Sequence, residues 1–249
     1  MEKKESYKHA LPHFQQPGQA YFVTWSLKDA VPKKALERYT NQLEILQSQI
    51  RGFDSGTASG AAIFNRRFGC DLQSPVLKSA IKNRATRDAS PDLEKLRMQY
   101  YSARKKYIKA YDDLLNAERH LTVDLSKPEN TKIILETIQF WEGKKLQNRA
   151  CTVMPNHVHW VFELLEKEED GKLVYLQDVL QSVKRHTANQ INKAAGISGT
   201  LWQKESFDIT IRDNKHLYYA IEYTLNNPVS AGLVKDRKEW PGSFGCGDL

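Results

Sequence analysis

Two short stretches of this chain bring together side chains able to do chemistry. In VMPNHVHWVFEL, His157 and His159 stand two residues apart, so on a strand both imidazoles project from one face. The intervening and following residues Val158, Trp160 and Phe162 make the other face apolar. Such a pair can ligate one metal ion from a rigid element, or equally sit as two hydrogen-bonded histidines on a half-exposed strand. In AIEYTLNNPVSAGL, Tyr223 and Asn227 are four apart and share one face of a helix. Their structural alternative is a tyrosine packed in the core, followed by an asparagine that ends the helix because the residue before Pro228 avoids the helical region. Together the two stretches are complementary. Two neutral imidazoles and an amide oxygen leave positions on a metal for a phosphate oxygen. A phenol, which ordinarily ionises near pH ~10, attacks phosphorus more readily when a metal offsets the developing charge. Ligand chemistry alone favours manganese, zinc or nickel over magnesium at two imidazoles.

The elements that must hold these residues follow from periodicity. Gln19 to Leu27, rich in aromatic and β-branched residues, reads as a strand. Pro32 then opens a helix whose Leu36, Tyr39, Leu43, Leu46 and Ile50 recur at spacings of three and four, ending at Gly52. Residues 52–62 are small and turn-forming, and Phe64 to Ser90 is basic with short apolar clusters. Ser90-Pro91 starts a long helix through Leu114, expected to pair with the first as an antiparallel hairpin. A helix from about Asn130 to Lys144 follows. Next come strands Leu146 to Met154 and His157 to Leu164, joined at Pro155-Asn156, and a helix from Leu176 to Ala194. A strand from Leu201 to Ile211 and a helix from Asn214 to Asn226 complete the order βα(α)ββαβα. That order predicts an α+β fold, a ferredoxin-like antiparallel sheet with helices on one side and a long helical insertion. The expected division is a catalytic domain of residues 1–51 and 130–249 and a basic, mainly helical insertion of residues 52–129.

Composition narrows the function classes. The chain has 249 residues, 40% hydrophobic and 27% charged, with a mean hydropathy of −0.61. The sequence holds no run of about 18 apolar residues, the length that would span a bilayer, and the first residues lack an apolar signal, so a cytoplasmic protein is expected. Cys70, Cys151 and Cys246 are an odd set without CxxC spacing, which argues against a disulfide framework or a thiolate zinc site. The net charge of +7 leans toward an anionic partner. Residues 61–111 carry 12 Lys/Arg against 4 Asp/Glu, so the basic excess is local. It reads as a binding patch or simply a solvated helical face. Tyr100, Tyr101, Tyr107 and Tyr111 in that region either stack on a nucleic acid or glue a helix hairpin. No GxxxxGK[ST], GxGxxG after a strand, HExxH or GxSxG is present.

Taken jointly, MPNHVHWVF, LWQKESFDITIRD and YAIEYTLNNPVSAGLV resemble the single-tyrosine HUH transposases of single-stranded DNA, in particular the REP-associated tyrosine transposase group. The resemblance covers about residues 19–50 and 130–240, in the family's order. It implies that His157 and His159 bind a divalent metal, magnesium or manganese, that Asn227 is the third ligand, and that Tyr223 is the nucleophile. The implied reaction cleaves and rejoins one DNA strand at hairpin sites through a 5′-phosphotyrosine. Single-stranded or hairpin DNA would be the partner, with the tyrosine serving its own subunit or that of a homodimer. Lys184, Arg185 and Arg212 are candidate phosphate contacts, and Trp202 is expected in the core. Two other readings compete. One is a catalytically silent hairpin-binding protein, and the other an HUH replication initiator or relaxase.

Overall fold

The computed structural model describes residues 6–8, 12–14, 16–32, 34–55, 91–117 and 121–245. Cys70, Cys246 and the basic stretch Phe64 to Ser90 lie outside them. The chain divides into two compact units, Met1–Val31 with Leu115–Leu249, and Pro32–Leu114. This division groups the helix after Pro32 with the long helix, and residues 115–129 with the sheet, whereas the sequence boundaries fell at 52 and 129. The second unit contains α1 (Glu37–Ser55) and α2 (Pro91–Leu115, whose last residue belongs to the first unit). Each helix buries one stripe, Leu43, Leu46 and Ile50 on α1 and Leu93, Ala103, Tyr107 and Tyr111 on α2. Tyr107 and Tyr111 stack nearly parallel and are buried. Helix α1 continues through Gly52 to Ser55.

The first unit holds the sheet. A small ribbon pairs β1 (Ser6–Lys8) with β2 (Pro12–Phe14). The main sheet contains β3 (Ala20–Ser26), β4 (Leu146–Val153), β5 (His157–Leu164), β6 (Phe207–Ile211) and β7 (Ser243–Gly245) in the order β6-β3-β5-β4-β7, all antiparallel. Between β3 and β4 lies α3 (Pro128–Gln139), and between β5 and β6 lies α4 (Leu176–Ala195). Numbered within the repeat, the four main strands stand in the order 4-1-3-2 with helices after the first and third, the ferredoxin-like βαββαβ unit. The expected fold class therefore stands, with β7 added on the outer edge of β4.

Side-chain alternation explains how the sheet divides its two faces. Tyr21, Val23 and Trp25 of β3 and Val158, Trp160, Phe162 and Leu164 of β5 point to one face and are fully buried or nearly so. Trp25 meets Trp160 and Trp202 edge-on at 6.0 and 6.2 Å, and Trp160 packs on Phe162 at 3.9 Å. Helices α3 and α4 cover this face with Ile134, Ile138, Leu176, Val179 and Val183. Each such side chain contributes roughly 1.5–3 kcal/mol on burial. Trp202 donates its indole N–H to Thr187 of α4 at 3.0 Å and is a core residue, as expected. Helix α4 stops at Gly196, whose φ of 65° is left-handed backbone that favours glycine.

The opposite face carries Phe22, Thr24 and Ser26 of β3, Thr152 of β4, and His157 and His159 of β5. Helix α5 (Asn214–Ser230) lies over it. The sheet thus has α3 and α4 on one side and α5 on the other, which corrects the expectation of helices on one side alone: the buried Thr224, Asn227 and Pro228 seat the last helix on the polar face. The strand expected from Leu201 is regular only from Phe207, because Leu201–Gln203 instead runs along the end of β3. There Trp202 bridges Leu27 and the Gln203 N–H reaches the Ser26 carbonyl. Among the described residues no helix is long and apolar enough to cross a membrane.

Candidate active site

The histidine strand is held from both sides. β5 is central, with His159 opposite Thr24 of β3 and Thr152 of β4. The hairpin turn before it is pinned by the Met154 N–H to the His157 carbonyl at 2.8 Å, Leu27 N–H to the Asn156 carbonyl at 2.9 Å, and Leu125 N–H to the Pro155 carbonyl at 2.9 Å. His157 and His159 are each 1% exposed, and their Nε2 atoms converge to 2.9 Å. Burial lowers both pKa values, that of His159 to about 3 and that of His157 well below its ordinary range, with neighbouring His159 adding to the latter. Both rings are therefore neutral at physiological pH, the form that ligates metals. Their facing Nε2 atoms are the ones that would hold a cation from this strand.

The ring nitrogens that point away are also engaged. His157 Nδ1 lies 2.6 Å from Asn156 Oδ1, and His159 Nδ1 lies 2.7 Å from Thr24 Oγ1. Both partners are buried. Neither was singled out as a site residue from the sequence. Asn156 sits next to His157 and reads there only as a turn residue, while Thr24 reads as one more strand position. Its meeting with His159, 135 residues away, appears only once strand register is known.

Helix α5 brings the tyrosine. Asp213 caps its start by accepting the His216 N–H at 2.8 Å, fixing the helix directly after β6. Thr224, Asn227 and Pro228 face the sheet and are buried. Tyr223 is 41% exposed, its ring 5.4 Å from His159 and 5.6 Å from Phe22, which itself stacks on His159 at 5.5 Å. The structural alternative for Asn227 fails at this point, because the helix does not end there. It runs through Pro228 to Ser230, with the Ala231 N–H bonded to the Asn227 carbonyl at 2.9 Å and the Leu233 N–H to the Pro228 carbonyl at 2.9 Å. Pro228 falls in the last turn, where its missing N–H removes one bond without blocking the turn. The Asn227 side chain is 4% exposed and its buried Oδ1 has no hydrogen-bond partner. A buried amide oxygen without a donor is costly, and a cation would satisfy it. Among the described residues no cluster of three His, Cys, Asp or Glu offers another metal site.

The candidate phosphate contacts scatter. Lys184 and Arg185 lie on α4, across the sheet from the histidines. The Lys184 ammonium donates to the carbonyls of Gln203 and Lys204 and to Ser206 Oγ at 2.8, 3.1 and 3.0 Å, so its three protons hold the 203–206 loop rather than project outward. Arg185 is exposed beside a groove of about 420 Å³ between α4 and residues 199–206. Arg212 is exposed at the end of β6, immediately before the α5 cap.

The ferredoxin-like sheet thus presents two buried histidines from its central strand beneath a tyrosine-bearing helix. No protein-family model matches the chain. Over 109 residues it is 29% identical to a REP-associated tyrosine transposase of Haemophilus influenzae, covering 42% of this chain and 62% of that protein. Over 106 residues it is 30% identical to the REP-associated tyrosine transposase of Escherichia coli K12, covering 43% of this chain and 58% of that one. The matched region spans about three fifths of the length of these curated relatives. A solved REP-associated tyrosine transposase bound to a REP hairpin aligns with 93% of this chain and 79% of its own, at 16% identity and a TM-score of 0.40. The sequence similarity relates this chain to the REP-associated tyrosine transposases.

Proposed function

We propose that this protein cleaves and rejoins single-stranded DNA beside hairpins, using Tyr223 as nucleophile and a divalent metal, magnesium or manganese, held by His157, His159 and Asn227. The reading is supported by two neutral Nε2 atoms 2.9 Å apart, a buried amide oxygen without a partner on the helix over the same sheet face, and an exposed tyrosine ring against one of the two histidines. When bound, the metal would polarise the scissile phosphate and offset its developing charge. Tyr223 is open enough to meet a DNA strand while Phe22 and His159 hold its ring. Its phenolic oxygen forms the new P–O bond, the P–O3′ bond breaks, the phenolic proton passes to solvent, and the leaving 3′ oxygen takes up a proton. One phosphodiester replaces another, so a later 3′-OH can reverse the step with no external energy source. Arg185 and Arg212 are the exposed cations assigned here to phosphate contact, a role worth testing by salt dependence. Lys184 supports that surface by fixing the loop.

The test is incubation with manganese and labelled single-stranded hairpin DNA from the flanks of the gene, resolved on a denaturing gel. A metal-dependent covalent adduct lost in Tyr223→Phe is the expected result. Hairpin binding without any adduct would overturn the catalytic reading in favour of a silent hairpin-binding protein.

A further inference from the structure

The two histidines are supported by partners of different kinds. Asn156 is 5% exposed, and its Nδ2 donates to the Leu115 carbonyl at 2.7 Å, which fixes the orientation of the amide. The Oδ1 left facing His157 can only accept, so the 2.6 Å contact requires a proton on His157 Nδ1 and leaves Nε2 as a bare lone pair. Thr24, 2% exposed, contacts His159 Nδ1 with a hydroxyl that either donates or accepts.

The 2.9 Å contact between the Nε2 atoms then decides the metal-free arrangement. Two bare lone pairs repel at that distance, so one nitrogen must carry a proton. His157 Nε2 does not, hence His159 Nε2–H donates, His159 Nδ1 is bare, and the Thr24 hydroxyl donates to it. Hydrogen bonds thus run in one direction from Thr24 through His159, His157 and Asn156 to the Leu115 carbonyl. For both Nε2 atoms to ligate a cation, His159 must carry its proton on Nδ1 instead, and the Thr24 hydroxyl must turn to accept it. The proton changes nitrogen within one ring, and none is gained or lost.

We propose that Asn156 and Thr24 are positioning residues for the metal, Asn156 holding His157 permanently in its ligating tautomer and Thr24 allowing His159 to change tautomer when a divalent cation enters. This rests on the proposed metal site. A hydroxyl suits the second position because it serves both tautomers, and an amide suits the first because its orientation is set by the backbone.

The test measures Mn²⁺ binding to the DNA-free full chain by calorimetry, with histidine-ring ¹⁵N NMR of the metal-free wild type. Thr24→Val should weaken Mn²⁺ binding roughly tenfold to a hundredfold, and Thr24→Ser should restore it. The spectra should show His157 protonated at Nδ1 and His159 at Nε2, a readout that needs no variant. Equal affinity in Thr24→Val and wild type, failure of Thr24→Ser to restore binding, or the opposite tautomers would overturn the inference while the metal site stands. No Mn²⁺ binding by wild type, or binding unaffected by His157→Ala, would instead remove the metal site itself, and the inference with it.

Discussion

Replacing Asn227 with leucine should stabilise the metal-free protein while weakening metal binding. The Oδ1 of Asn227 is buried without a donor, a condition that costs about 1–3 kcal/mol. Leucine matches asparagine in shape at the branch and brings no polar atom, so Asn227→Leu should raise unfolding stability in EDTA by about 1–2 kcal/mol. For a protein of this size that is a rise of roughly 3–6 °C in Tm. With Mn²⁺ the order should invert, because a ligand at 100 times its Kd adds about 2.7 kcal/mol to the protein that binds it. The assay is urea unfolding followed by tryptophan fluorescence. All five tryptophans, Trp25, Trp141, Trp160, Trp202 and Trp240, belong to the sheet unit, so the signal reports the unit that contains the site. A variant less stable than wild type in EDTA would refute the reasoning, since it would show that the amide supports the fold rather than waiting for a cation.

Two further outcomes follow from local geometry. Burial pushes the Lys184 ammonium down to about 8, against the opposing pull of Glu205. Between about pH 8 and 10.4 the unfolded chain therefore holds a proton the folded chain has lost, and this residue makes stability rise with pH across that window. Relative to Lys184→Met, wild type should gain up to about 3 kcal/mol in urea unfolding from pH ~7.5 to ~10.5, and a flat difference would exclude the shift. At Gly242 an added Cβ would sit 2.9 Å from both the Val153 carbonyl oxygen and Trp240 Nε1, which are hydrogen-bonded to each other at 3.0 Å. Gly242→Ala should cost about 1–3 kcal/mol and loosen β7 from β4, read as faster amide exchange at Cys151 and Val153. Unchanged exchange would show that the strand yields without cost.

The sequence made legible whatever depended on short spacing. The HVH pair on one strand face, its apolar opposite face and the tyrosine-to-asparagine helical turn are all properties of neighbours in the chain. The βαββαβ order followed from periodicity, and the strand order 4-1-3-2 then matches the fold class expected. What escaped was set by distant pairing. Thr24 acquires its meaning from register with His159, and Asn156 from the Leu115 carbonyl, a partner 41 residues away. Lys184 looked like a surface cation because its three acceptors come from a loop about 20 residues later. The Asn227-Pro228 pair looked like a helix end because the local rule ignores a helix already seated on a sheet.

The strand order also sets a schedule. β3 pairs only with β5 and β6, strands made far later, so the first strand of the sheet has no partner until the histidines have been synthesised. From His159 to Tyr223 is 64 residues, about 3–13 s of translation at 5–20 residues per second. Throughout that interval the nascent chain holds the histidine strand without its tyrosine helix. A polypeptide released early would carry the two imidazoles but no phenol beside them. The proposed strand cleavage would thus be confined to chains synthesised past Tyr223, a safeguard that comes from topology and needs no inhibitor.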